Sequence, residues 1–195
     1  MDTGDIDKFG HAYLDQWLET TRRYLFADWE SLAGAAEKAL PEPKLDSHGA
    51  QDRYISRARG SLLRLVKRTT RHARSPLQEL ECAFYSQASF IARHPDVPGR
   101  LLGWLSQAGD SRIRRRIQKI IGHYESRICR TIDRARRQGY IRADIDPHAA
   151  AGIFIGMIQS LALRVNVNLR QRELLLREAF ENFSLYRAGI ASASK

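Results

Sequence analysis

Apolar residues recur along the chain at intervals of three, four or seven positions, which is the spacing of one face of an α-helix. The clearest stripe belongs to one long segment: Ile113, Ile117, Ile121, Tyr124, Ile128, Ile132 and Ala135. We find no run that alternates apolar and polar residues as a half-buried strand does. The pattern therefore predicts an all-α protein of about seven to nine helices.

Local signals indicate where several of these helices begin and end. Ser75 and Asp146 each stand directly before a proline, and a capping side chain followed by proline is typical of a helix start. Pro95 ends the helix that follows Ser75. Gly139 stands just beyond the arginines that end the long helix, where glycine commonly terminates helices.

The charge of the chain is unevenly distributed. The 195 residues carry 32 Lys and Arg against 22 Asp and Glu, a formal charge of +10, and such an excess favours an anionic partner. The bases concentrate at 51–74, with a net +7, and at 109–142, with a net +8, whereas residues 1–50 carry −5. The run at 41–50 contains two prolines and a glycine and predicts a break. We expect an N-terminal helical segment, 1–50, and a larger helical domain, 51–190.

The sequence lacks the motifs that common enzyme and metal chemistry needs. It has no phosphate-binding glycine loop, no GxSxG and no HExxH, and none of its six histidines are four residues apart. Cys82 and Cys129 fall within apolar helical patterns, and we interpret them as buried free thiols. We expect no catalytic residues, no metal and no cofactor. Without a visible signal peptide or spanning segment, we expect a cytoplasmic protein with no membrane partner.

From Ser75 onward the order of motifs resembles the C-terminal regulatory domain of TetR/AcrR-family transcriptional regulators. A helix ends in His94-Pro95, and the long helix then leads into a turn of the form G-x-I/L-R-x-D-I/L-D-P, from Gly139 to Pro147. An Ala- and Gly-rich helix with a Q-x-L-x-L-R ending follows. The resemblance covers over half of the chain.

This resemblance implies a homodimer joined by a four-helix bundle, which the last two helices of each subunit form. The expected dimer contacts are apolar side chains of these helices: Phe154, Ile158, Leu161, Leu176, Phe180 and Phe183. It also implies a cavity for a small apolar or amphipathic effector among the central helices. The expected lining is Phe84, Gln87, Ile91, Trp104, Ile120, Tyr124 and Met157. For both sets the alternative is ordinary packing in the core of a monomer.

The N-terminal segment departs from the helix-turn-helix that family members carry there. Leu40-Pro41-Glu42-Pro43 replaces the usual Gly-Val-Ser turn, and acidic residues stand where a recognition helix would face phosphates. Three interpretations stay open: a strongly diverged DNA reader, a lost DNA-binding function, or DNA contact through the basic helix at 51–74. The candidate DNA contacts are Lys44, Arg53 and Arg57.

The leading hypothesis is a TetR-like transcriptional regulator, a ligand-responsive repressor that binds DNA as a homodimer. The alternative is a TetR-like helical dimer that has lost DNA reading and acts as an effector-binding or protein-interaction module. A third interpretation is sequence-independent nucleic-acid binding through the arginine-rich helices. The bases concerned follow one side of the long helix: Arg112, Arg116, Lys119, Arg127, Arg130, Arg134 and Arg137. The same row is also typical of the solvated flank of an amphipathic helix.

Overall fold

A computed structural model describes residues 48–106, 111–167 and 172–192 of the chain. These residues form six helices: α1 (His48–Thr70), α2 (Pro76–Arg93), α3 (Asp96–Ser106), α4 (Ser111–Arg137), α5 (Pro147–Val167) and α6 (Arg172–Ile190). The all-α class is therefore confirmed for this part of the chain, with six helices against an expected seven to nine. The chain divides into two compact units, Met1–Glu42 and Pro43–Lys195, and all six helices belong to the second. The expected N-terminal helices and Lys44 lie outside the described residues.

Two helix starts predicted from the sequence are confirmed by their hydrogen bonds. The Gln78 backbone N–H donates to Ser75 Oγ at 3.1 Å, and the Gln78 side chain accepts a hydrogen bond from the Arg74 backbone N–H at 2.7 Å. The Ala149 backbone N–H donates to Asp146 Oδ2 at 2.9 Å. These bonds satisfy donors that the first turns of α2 and α5 would otherwise leave without a partner.

Gly139 ends α4 in the left-handed conformation, with φ at 79°. The Tyr140 backbone N–H reaches back to the Ala135 carbonyl at 2.9 Å, as in a Schellman motif. The chain then turns, and Ile141 forms an isolated antiparallel bridge with Ala191. The end of α4 is thereby joined to the end of α6, and the glycine predicted to terminate the long helix is confirmed in that role.

Helix α2 lies at the centre of the fold and packs against α1, α4, α5 and α6. Every residue from Ala83 to Ile91 is buried. The ring of Phe84 lies 5.4 Å from that of Phe154 on α5 and 5.3 Å from that of Phe183 on α6, measured between centroids. This aromatic cluster fills the junction of α2, α5 and α6.

One expectation about the core needs correction. Cys82 and Cys129 are free thiols, but each is half-buried rather than buried. Each lies beside the buried stripe of its helix; Cys129, for example, directly follows the buried Ile128. A side chain one position away from the stripe is rotated by about 100° from the helix face that packs inward.

None of the described helices is both long enough and apolar enough to cross a membrane.

Candidate functional site

A cavity of about 310 Å³ lies between α1, α2, α3, α4 and α5. Its walls are mainly aliphatic and aromatic side chains, contributed by all five helices: Ile55, Ala58, Leu62, Leu63, Phe90, Ile91, Val97, Pro98, Leu101, Leu102, Leu105, Ile117, Ile120, Ile121, Ile155, Ile158 and Ala162. The volume is at the lower end of the range of small-molecule sites. The cavity has room for about ten water-sized non-hydrogen atoms.

Two polar side chains meet at the cavity wall. Gln87 on α2 is only 4% exposed, and its Nε2 donates to the Ala83 carbonyl at 3.2 Å and to the phenol oxygen of Tyr124 on α4. Burial raises the pKa of Tyr124, so the phenol keeps its proton at neutral pH. Because the phenol oxygen accepts the bond from Gln87, its own proton can be donated to a ligand.

The remaining polar lining residues are Arg59, His123, Arg127 and Gln159. Arg127 lies close enough to Tyr124 that its charge lowers the pKa of the phenol, in opposition to burial. No Asp or Glu lies among the described residues that line the cavity. The wall is therefore apolar over most of its area, with polar groups that are either neutral or basic.

The structure brings together four of the seven residues expected to line an effector cavity: Gln87, Ile91, Ile120 and Tyr124. The other three lie elsewhere. Phe84 belongs to the aromatic cluster, Trp104 packs edge-on against Tyr54 with ring centroids 5.7 Å apart, and Met157 lies half-buried on α5 outside the cavity wall. Each points away from the cavity because its position on its helix is rotated from the residues that face it.

The lining from α1 and α3 was missed by sequence reasoning. These helices contribute about half of the aliphatic wall, including Ile55, Leu62 and the leucines at 101, 102 and 105. Their apolar spacing is visible in the sequence. This spacing predicts which side of each helix packs inward. It does not show whether that side packs directly against a neighbouring helix or leaves a cavity between them.

Of the six residues expected at a dimer interface, three are fully buried within this chain and three are half-buried. Phe154, Leu161 and Phe183 are at most 1% exposed and have no surface to offer to a partner subunit. Ile158 lines the cavity, Phe180 stacks on the ring of Tyr85, and Leu176 is half-buried.

Other residues form the outer faces of α5 and α6. Four large apolar side chains there are at least half exposed: Ile153, Leu163, Leu174 and Leu185. Gly152 and Gly156 are also exposed, and a Cβ added to either would meet no described atom within 4 Å. The outer face of α5 is consequently apolar, and it is flat at the two glycines.

The basic row of α4 is largely paired with acids. Arg116 Nη1 lies 2.7 Å from Asp52 Oδ1, with Arg112 farther from the same carboxylate. Arg134 pairs with Glu79. Asp133 pairs with Arg136 at 3.0 Å and with Arg137 at 3.1 Å. These ion pairs favour the interpretation of the basic row as the solvated flank of an amphipathic helix. Arginines that are already paired with acids bind phosphates less strongly and so release fewer counterions from a nucleic acid.

All three candidate DNA contacts belong to the second unit of the chain, Pro43–Lys195. Arg53 and Arg57 lie exposed on α1, four residues apart and therefore on one side of the helix. Lys44 lies outside the described residues.

Residues 106–179 match a family model described as "Tetracyclin repressor-like, C-terminal domain". The match covers α4, α5 and the first part of α6, including the turn from Gly139 to Pro147. The resemblance noted in the sequence is confirmed over these residues. No curated protein and no solved structure matches the chain.

Proposed function

Because residues 106–179 match a family model for the tetracyclin repressor-like C-terminal domain, we propose that the protein is a ligand-responsive transcriptional regulator. In this proposal it binds DNA as a homodimer and has a regulatory rather than a catalytic role. The observation that carries the proposal is the cavity of about 310 Å³, a ligand-sized apolar space between five helices.

Helix α1 is the element through which a ligand would act. It begins at His48, shortly after the segment in the position of a DNA reader, and its residues Ile55 and Leu62 lie on the cavity wall. Its far end is held to α2 by a hydrogen bond of 2.6 Å between the hydroxyls of Thr69 and Ser86.

The first half of α1 is held as well, by Tyr54 with Asp96 of α3 at 2.9 Å and by Asp52 with Arg116 of α4 at 2.7 Å. A ligand that packs against Ile55 and Leu62 would tilt α1 by shifting these contacts. The ligand shifts the equilibrium between the original and the tilted position of α1, and the size of the shift equals the difference between its binding free energies for the two positions.

The dimer contact in this proposal lies on the outer faces of α5 and α6. Ile153 on α5 is 58% exposed and Leu185 on α6 is 74% exposed, and apolar side chains exposed together on one surface are typical of an interaction site. Glycine in a helix interior costs roughly 1 kcal/mol relative to alanine. A second subunit packed closely against Gly152 and Gly156 would offset that cost, since small residues let helix backbones approach.

A mobility-shift assay on the DNA upstream of the protein's own gene tests the proposal. The labelled DNA is titrated with full-length protein over a salt series, with excess unrelated DNA as competitor. We expect a complex that unrelated DNA does not displace and whose affinity falls steeply with salt. Arg53→Gln and Arg57→Gln should weaken it, whereas the control Arg130→Gln, exposed on α4, should not.

Two outcomes would contradict DNA-reading regulation. No retardation even at low salt would favour the second candidate, an effector-binding or protein-interaction dimer, which the charge of −5 over residues 1–50 supports. Retardation without sequence preference, lost after charge reversal at Arg127, Arg130 and Arg134, would favour sequence-independent binding through α4.

A further inference from the structure

We infer that the cavity takes an apolar molecule with an anionic head group, such as a medium-chain carboxylate, and that Arg127 contacts that head group. The inference rests on the proposed function in treating the cavity as a ligand site, and it adds the chemical class of the ligand.

The first support is the charge of the cavity wall. The charged lining residues are Arg59 and Arg127, both basic, and no described carboxylate lines the cavity with them. A cationic ligand would meet like charges there and would have no acid to pair with. An anionic ligand would meet complementary ones.

The second support is that Arg127 has no ion-pair partner among the described residues; Glu79, which lines a small neighbouring pocket with it, pairs with Arg134 instead. Five other arginines of α4 each have a carboxylate within ion-pair distance: Arg112, Arg116, Arg134, Arg136 and Arg137. Arg127 is half-buried, yet among the described residues no carboxylate lies within 4 Å of its guanidinium. A partly buried cation without a counter-charge is costly, and a ligand carboxylate would supply one.

The third support is the set of donors next to Arg127. Tyr124 lies one helical turn before Arg127, and its oxygen already accepts a hydrogen bond from Gln87. The phenol proton and the guanidinium N–H groups are therefore both available to an acceptor, and a carboxylate has two acceptor oxygens. Neutral ligands would use the phenol but leave the guanidinium without a counter-charge.

The size of the cavity limits the apolar part of the ligand. A volume of about 310 Å³ corresponds to about ten water-sized non-hydrogen atoms. A saturated chain of about eight to ten carbons therefore fits the aliphatic walls, with its carboxylate at Arg127.

Isothermal titration calorimetry of the full-length protein tests the inference with three probes that share one chain. They are decanoate, 1-decanol and decylamine at neutral pH, with decanoate and decylamine kept below their micelle concentrations and decanol below its solubility limit. We expect decanoate to bind at least about tenfold more tightly than decanol, and decylamine to bind most weakly.

Variants assign the effect to Arg127. We expect Arg127→Gln to weaken decanoate binding by about tenfold or more while changing decanol binding by less than about twofold. Arg127→Lys should restore part of the loss, and a far-ultraviolet circular dichroism melt establishes that each variant is folded. The matched control is Arg130→Gln, which removes an exposed arginine of the same helix outside the cavity wall and should leave both affinities unchanged.

The inference is overturned if decanol or decylamine binds as tightly as decanoate, if none of the three binds, or if Arg127→Gln weakens decanoate and decanol alike. The calorimetry contains no DNA, so its result is independent of the mobility-shift assay. If the protein binds decanoate but not DNA, the proposed regulatory function is contradicted and the inference about the ligand stands. If the protein binds its DNA specifically but shows no preference for decanoate, the inference about the ligand is contradicted and the proposed function stands.

Discussion

The side-chain amide of Gln87 on α2 donates a hydrogen bond to the phenol oxygen of Tyr124 on α4, at the wall of the central cavity. This bond joins the helix at the centre of the fold to the helix that carries the basic row. It also orients the phenol, because an oxygen that accepts from Gln87 directs its own proton elsewhere. The stability of the fold and the proposed ligand recognition therefore depend on the same pair of side chains.

Removing the phenol hydroxyl should affect both properties. We expect Tyr124→Phe to lower the free energy of unfolding by about 1 kcal/mol, because a buried amide donor of Gln87 loses its acceptor. The variant should also bind decanoate a few-fold more weakly, since one donor to the carboxylate is lost. Urea unfolding and calorimetry measure the two effects. Unchanged values in both would contradict the role given to this bond.

The aromatic cluster should dominate the stability of the fold. Phe84 is fully buried between Phe154 and Phe183, so Phe84→Ala removes its ring contacts and leaves a cavity. We expect a loss of about 3–5 kcal/mol in the free energy of unfolding, measured by urea denaturation. The half-buried Phe180 provides the comparison, and Phe180→Ala should cost clearly less. Equal losses would argue against a core centred on Phe84.

The flat outer face of α5 provides a test of the proposed dimer. Gly156 and Gly122 are both exposed helical glycines with open space around an added Cβ among the described atoms, but Gly122 lies on α4. We expect Gly156→Leu to raise the dimer dissociation constant at least about tenfold by separating the two subunits. The control Gly122→Leu should leave dissociation unchanged. Sedimentation equilibrium measures both, and equal behaviour of the two variants would remove this face from the interface.

The cap of α5 should make part of the stability dependent on pH. Hydrogen bonds from the backbone N–H groups of Ala149 and His148 hold the pKa of Asp146 below its usual range. A carboxyl with a lowered folded-state pKa stabilises the fold above its unfolded value of about 4 and loses that contribution as the pH falls through the folded value.

Asp146→Ala should therefore melt at a lower temperature than the wild-type protein at pH 7. The difference should narrow as the pH is lowered below about 4, where the wild-type carboxylate becomes protonated. Thermal melts at pH 7, 4 and 3 measure this difference. A gap that stays constant over this range would show that the charge of the cap does not contribute.

Helix boundaries were predictable because they depend on local chemistry. Ser75 and Asp146 cap the helices that follow them through their own side chains, and Gly139 takes a backbone conformation that glycine favours. The inward stripe of α4 was also readable, because that helix has one strongly apolar side and one strongly basic side.

The two sides of α5 could not be assigned from the sequence. This helix is apolar nearly all round, so periodicity does not identify which side packs inward. Ile153 and Phe154 are adjacent and both apolar, yet the first is 58% exposed and the second fully buried. Similarly, Phe84 and Gln87 lie one turn apart on α2, and only the tertiary arrangement sends one to the aromatic cluster and the other to the cavity.

The most direct test of a ligand-responsive regulator is the affinity of the protein for its own upstream DNA with and without an occupied cavity. Fluorescence anisotropy of labelled DNA measures it, at a decanoate concentration that calorimetry establishes as saturating. We predict a change of at least about fivefold in the dissociation constant, absent in Arg127→Gln at the same decanoate concentration. An unchanged DNA affinity at full occupancy, or no DNA binding at all, would contradict the account.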